Sequence, residues 1–111
     1  MKATMLIAAL LGMPGLALAE DMVNQSYVCD RGAVVAATYL NIAARSLAVV
    51  TVEGRQLAFE VAISASGALY VAVDAARPYV WWTKGDMASL SYGPASDEVV
   101  IYANCAARTA P

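Results

Sequence analysis

From about residue 25 onward the chain alternates short apolar runs with turn-forming residues, roughly every ten positions, the spacing of a small all-β sandwich or barrel. In the stretch RQLAFEVA, Leu57, Phe59 and Val61 alternate with Ala58 and Glu60, as a strand with one buried and one wetter face requires. The pattern predicts strands over Gln25–Cys29, Ala33–Leu40, Arg45–Val52, Arg55–Ala62, Ala68–Val73, Tyr79–Thr83, Met87–Tyr92 and Glu98–Tyr102. Turn chemistry separates several of them: Asp30-Arg31-Gly32, the tight pair Glu53-Gly54, the wider Ser64-Ala65-Ser66-Gly67, and Gly93-Pro94.

Eight short antiparallel strands are expected to close into a barrel, because closure removes the edges that would otherwise pair between molecules. So small a barrel fills its interior with side chains, which leaves function to the loops and outer faces. The two cysteines, Cys29 and Cys105, flank almost the whole of this region, and in an oxidising compartment they are expected to pair. Closing so long a loop stabilises a fold by roughly 4 to 5 kcal/mol on the chain-entropy model, before strain is subtracted. The fold class is thus all-β: a small antiparallel eight-stranded barrel with one disulfide.

The first residues break this pattern. Met1-Lys2 is followed by an apolar run, then Gly12, Pro14, Gly15 and the small-x-small step Ala17-Leu18-Ala19 before Glu20-Asp21. That order reads as a secretory signal peptide over residues 1–19, with the functional domain over 20–111; a membrane anchor would need a longer, less interrupted run. Position 20 is Glu, not a lipid-accepting Cys, so the expected product is an unanchored periplasmic protein. Cleavage leaves nine acids against five arginines and one lysine, a formal charge of −3. An acidic domain is a poor match for nucleic acid and favours a basic partner.

One segment carries unusual chemistry. YVWWTKGDMASL sets Trp81 and Trp82 beside Lys84-Gly85-Asp86, and Lys84 is the only lysine beyond the leader. Neighbouring strand residues point to opposite faces, so only one tryptophan can enter the core. The plain alternative is an amphipathic indole at a strand end beside an ordinary solubilising lysine. The sharper reading is an aromatic-backed hairpin tip whose compact ammonium enters a cleft lined with carboxylates.

The segments SGALY at Ser66–Tyr70 and Trp82-Thr83-Lys84-Gly85, with Ala88 and Leu90 following, resemble the two-part signature of the bacterial C-type lysozyme inhibitors, membrane-bound and periplasmic. YVCDRG, VVAATYLN and the late cysteine in IYANC extend the likeness over nearly all of the chain beyond the leader. The resemblance implies an eight-stranded barrel whose two signature loops block a C-type lysozyme's active-site cleft. Ser66 and Lys84 fall on the inhibitory positions, and Gly67, Tyr70, Trp82 and Gly85 on those that shape the loops. Leu69 stands where an arginine is frequent and Met87 where an acid is frequent, departures that bear on affinity and partner preference more than on the inhibitory role. The chemistry suits such a target: a lysozyme works with two nearby carboxyl groups, one protonated and one ionised. A lysine ammonium pairs with a carboxylate, and a serine hydroxyl both donates and accepts.

Catalysis by the chain itself is not expected. It has no histidine for a Ser-His or Cys-His pair, and Asp74, Asp86, Asp97 and Glu98 show no acid/base spacing. Two cysteines cannot complete a zinc shell, and nothing calls for a metal or cofactor. The alternative from a different class is a non-catalytic envelope adaptor that binds another exported protein or a glycan through its exposed tryptophan.

Overall fold

The computed structural model describes residues 21–108; the expected leader, residues 1–19, lies outside the described residues. Eight strands follow in chain order: β1 (Asp21–Val28), β2 (Val34–Ile42), β3 (Arg45–Val52), β4 (Arg55–Ala62), β5 (Ala68–Ala72), β6 (Tyr79–Lys84), β7 (Met87–Tyr92) and β8 (Val99–Ala107). Each pairs antiparallel with the next, and β1 pairs with β8 to close a barrel. Single 3-10 turns at Asp30–Gly32 and Ala95–Asp97 shape two of the connections.

The inward positions obey the strand period of two. Val35 and Ala37 on β2, Ala48, Val50 and Val52 on β3, Phe59 on β4, and Trp81 on β6 are buried. Trp81 is 0% exposed and, with Phe59 and Leu90, is among the largest fully buried side chains. The Cys29–Cys105 disulfide is formed, and both cysteines belong to the same core cluster.

The strand limits of β3, β4 and β7 coincide with the alternation; β1 and β8 run longer than their apolar patterns. In β1, the polar Asn24 accepts from Thr38 Oγ1 at 2.8 Å across the β2 pair, and Gln25 Nε2 donates to the Arg108 carbonyl at 2.9 Å. In β8, the pairing with β7 skips between Ala88↔Cys105, Leu90↔Tyr102 and Ser91↔Val100, so β8 carries extra residues. Asn104 takes φ 51° in this bulged region, a conformation Asn tolerates better than most residues. Opposite these bulges, consecutive Leu90 and Ser91 are both buried, while Val99 and Val100 at the start of β8 are both exposed.

The β2–β3 hairpin has only Ala43 and Ala44 between its paired ends Ile42 and Arg45. Both alanines sit at positive φ, 51° and 67°, where two-residue hairpins strongly prefer Asn-Gly because a Cβ is disfavoured there. Ala44→Gly is expected to raise stability by about 0.5 to 1 kcal/mol, read as a melting temperature higher by a few degrees. An unchanged or lower melting temperature would show that the left-handed turn carries no strain.

Candidate functional site

Antiparallel closure sorts the connections onto two ends of the barrel. The β2–β3 hairpin, the β4–β5 loop with Ser66, and the β6–β7 hairpin with Lys84 share one end. The two signature segments are brought into direct contact there. β5 and β6 pair through Ala68↔Thr83 and Leu69↔Trp82, which sets Gly67 opposite Lys84. A Cβ placed on Gly67 would lie 2.3 Å from the Thr83 carbonyl oxygen and 3.1 Å from Lys84 Cβ, and its φ is +70°. Only glycine lets the loop lie this close to β6. Gly67→Ala is therefore expected to cost on the order of 2 to 3 kcal/mol through clash and left-handed strain together, measured by denaturant unfolding. A cost below about 0.5 kcal/mol, the range of an ordinary surface change, would mean that the contact is slack.

Ser66 is held by its backbone. Its carbonyl accepts from Trp82 Nε1 at 3.0 Å and from Ser64 Oγ at 2.7 Å, while its own N–H donates to Ser64 Oγ at 3.3 Å. The Ser66 hydroxyl takes no part in these bonds. Trp82 is the outward-facing member of the tryptophan pair, half-buried under the loop it anchors, and Trp81 is the core member.

Lys84 is the exposed last residue of β6. Gly85 follows at φ +59° with open space around it, so the requirement there is conformational: glycine first in a two-residue turn is the II′ hairpin pattern. The tip is tied down because the Asp86 carbonyl accepts from the Ala107 N–H at 2.8 Å. Among the described residues the only salt bridge joins Arg45 and Glu60, so neither Asp86 nor any other acid pairs with the Lys84 ammonium.

Tyr70, the last residue of the first signature segment, faces the interior instead of the tip. It is paired with Trp81, and its ring lies 5.7 Å from that of Tyr39. Tyr39 accepts from Trp81 Nε1 at 2.9 Å and shares a 2.6 Å hydrogen bond with the Tyr27 hydroxyl. Burial pushes the Tyr39, Tyr27 and Tyr70 hydroxyls above the ordinary tyrosine value. They stay neutral, and this polar floor supports the tip without adding charge to it. Tyr27 and Tyr39 gave no sign of this in sequence; Ser64 did, since a serine two residues before a turn commonly bonds the backbone ahead of it.

Among the described residues no cluster of three His, Cys, Asp or Glu side chains could hold a metal. A hollow of about 240 Å³ opens at the far end of the barrel beside Leu57, Ala72, Arg77 and Tyr79. Neither Ser66 nor Lys84 lines it.

The closed β-barrel thus carries, at one braced end, the exposed Lys84 ammonium and a Ser66 hydroxyl outside the loop's hydrogen bonds. Residues 27–98 match the family model MliC, membrane-bound lysozyme-inhibitor of c-type lysozyme, and the chain belongs to that family. A membrane-bound lysozyme inhibitor of C-type lysozyme from Pseudomonas aeruginosa is 45% identical over 84 residues, 75% of this chain and 61% of the relative. One of the same description from Cupriavidus necator is 34% identical over 83 residues, 74% of this chain and 63% of the relative. The chain thus spans about three fifths of the length of these curated relatives. Among solved structures it resembles PliC from Salmonella typhimurium, a periplasmic lysozyme inhibitor of C-type lysozyme, at TM-score 0.71 and 27% identity, over 80% of this chain and all of the other. It also resembles Pseudomonas aeruginosa MliC in complex with hen egg white lysozyme, at TM-score 0.63 and 35% identity, over 95% of this chain and all of the other.

Proposed function

We propose that this chain is a proteinaceous inhibitor of C-type lysozyme that inserts the β4–β5 loop and the β6–β7 hairpin into the enzyme's cleft. The observation that carries the reading is the packing of Gly67 on the Thr83–Lys84 backbone, which sets Ser66 and Lys84 on one rim with their functional groups unspent. Lys84 offers an ammonium to an ionised carboxylate, and Ser66 a hydroxyl that donates or accepts. Neither presents a glycosidic bond, so the cleft is filled and nothing is cleaved. Family membership and the likeness to a lysozyme-bound relative support the same reading.

The direct test is lysis of a bacterial cell-wall suspension by hen egg white lysozyme in the presence of the purified chain. Lysis should fall in proportion to inhibitor added; full activity at micromolar excess would favour the envelope-adaptor alternative. Ser66→Ala is expected to weaken binding by about 1 to 3 kcal/mol, the cost of a neutral hydrogen-bonding group lost against a desolvated partner. Equal inhibition by that variant would remove Ser66 from the interface. Export is part of the proposal: a leader removed after Ala19 and an unlipidated Glu20 place the inhibitor free in the periplasm. Mass spectrometry of the exported chain would show an N-terminus at Glu20, and a retained leader or an attached lipid would refute this.

A further inference from the structure

The ammonium of Lys84 stands on a face with apolar neighbours. Lys84 pairs across the hairpin with Met87, and Trp82 lies two residues back on the same face, paired in turn with Leu69 of β5. Met87 is 42% exposed, although exposure of a thioether to water brings the isolated protein no stability. Ile63, three residues before Ser66 on the same loop, is 98% exposed, an isoleucine with almost no contact of its own. Among the described residues no acid stands opposite Lys84, Met87, Trp82 or Leu69 in the ladder, and the one salt bridge joins Arg45 and Glu60.

Building on the proposed inhibitory role, we infer that Met87, which seals the Lys84 contact against water, and Ile63, on the neighbouring loop before Ser66, are specificity-determining anchors that select a lysozyme whose cleft is walled by apolar side chains beside its carboxyls. Cross-strand partners have Cβ atoms about 4.5 to 5.5 Å apart, so a body that seats the Lys84 ammonium on a carboxylate also covers Met87. Excluding water from that contact lowers the local dielectric and strengthens the charge pair. A ring of weakly contributing apolar groups around a central charged anchor acts in this way at tight interfaces. The occupant is the wall of the lysozyme cleft, where a carboxylate set between apolar side chains satisfies the unpaired ammonium and its apolar collar together.

The experiment measures association and dissociation rates of hen egg white lysozyme with the wild type and with Met87→Ser, Met87→Leu, Met87→Glu and Ile63→Ser, at low and at high salt. Met87→Ser and Ile63→Ser should each speed dissociation about tenfold with little change in association rate, and should leave the melting temperature unchanged because both positions are exposed. Met87→Leu should restore wild-type dissociation. Met87→Glu, which puts back the acid frequent at this position in the family, should dissociate about as fast as Met87→Ser because a carboxylate gives no apolar cover, and dissociation as slow as the wild type would count against the collar. Met87→Ser should also make the complex more sensitive to salt, because a wetter ion pair is screened more strongly. Wild-type dissociation rates in both serine variants would overturn the collar and leave the inhibitory reading standing. Failure of the wild type to bind lysozyme would overturn both.

Discussion

Lys84→Ala is expected to weaken binding to a C-type lysozyme by roughly 2 to 5 kcal/mol, a loss of about thirtyfold to several thousandfold in affinity. The size follows from what is left behind. On the proposed insertion, removing the ammonium would leave the lysozyme carboxylate opposite it desolvated against Trp82, Leu69 and Met87, and an unpaired buried charge is costly. The fold should not change. Lys84 is exposed, makes no salt bridge among the described residues, and its backbone pairing with Met87 survives truncation. Isothermal titration beside a thermal melt separates the two effects: an unchanged dissociation constant would falsify the insertion reading, whereas weaker binding with a lowered melting temperature would point to a structural role. Lys84→Arg is not expected to restore full affinity, since a planar guanidinium is larger than the point charge it replaces.

Removing the disulfide, as Cys29→Ala with Cys105→Ala, should cost about 2 to 5 kcal/mol of folding stability. For a domain of this size that lowers the melting temperature by roughly 10 to 30 °C. The bond spans a sequence separation of 76, so its loss releases nearly the whole folded chain in the unfolded state. It also lies where the barrel is weakest in ladder hydrogen bonds. Among the described residues β1 and β8 pair through Tyr27↔Ala107 and Val28↔Ala106, with one further bond from the Arg108 N–H to the Ser26 carbonyl, against eight paired positions between β1 and β2. The same seam reaches the tip, because Cys105 stands opposite Ala88 and Ala107 bonds the Asp86 carbonyl. A loosened β8 should therefore blunt inhibition well below the melting temperature. A variant that melts within about 3 °C of the wild type would show the barrel to be closed by packing alone.

Much of the fold was legible in the sequence because strand periodicity and turn chemistry are local. Leu57, Phe59 and Val61 marked the inner face of β4, though Val61, nearer the tip end, remains 41% exposed. Glu53-Gly54 marked its hairpin, with both residues at positive φ. Where local signals failed, a tertiary partner supplied what the residue type did not. Ala43-Ala44 turns without Asn or Gly because the registers on either side leave two residues to span the gap. β8 runs past Tyr102 because bulges absorb the phase error that breaks its alternation. β1 takes in Asn24 because Thr38 satisfies it across the ladder.

The candidate site divides in the same way. The residue types and their order along the chain, a serine-glycine loop and then Trp82-Thr83-Lys84-Gly85, identified the family and the chemistry on offer, since the ammonium and the hydroxyl belong to single residues. Which tryptophan enters the core, the clamp of Ser64 and Trp82 on the Ser66 carbonyl, the inward turn of Tyr70, and the exposure of Met87 and Ile63 were decided only by the tertiary structure. Those properties depend on the register of β5 against β6 and on barrel closure, and both are set by contacts between residues far apart in the chain.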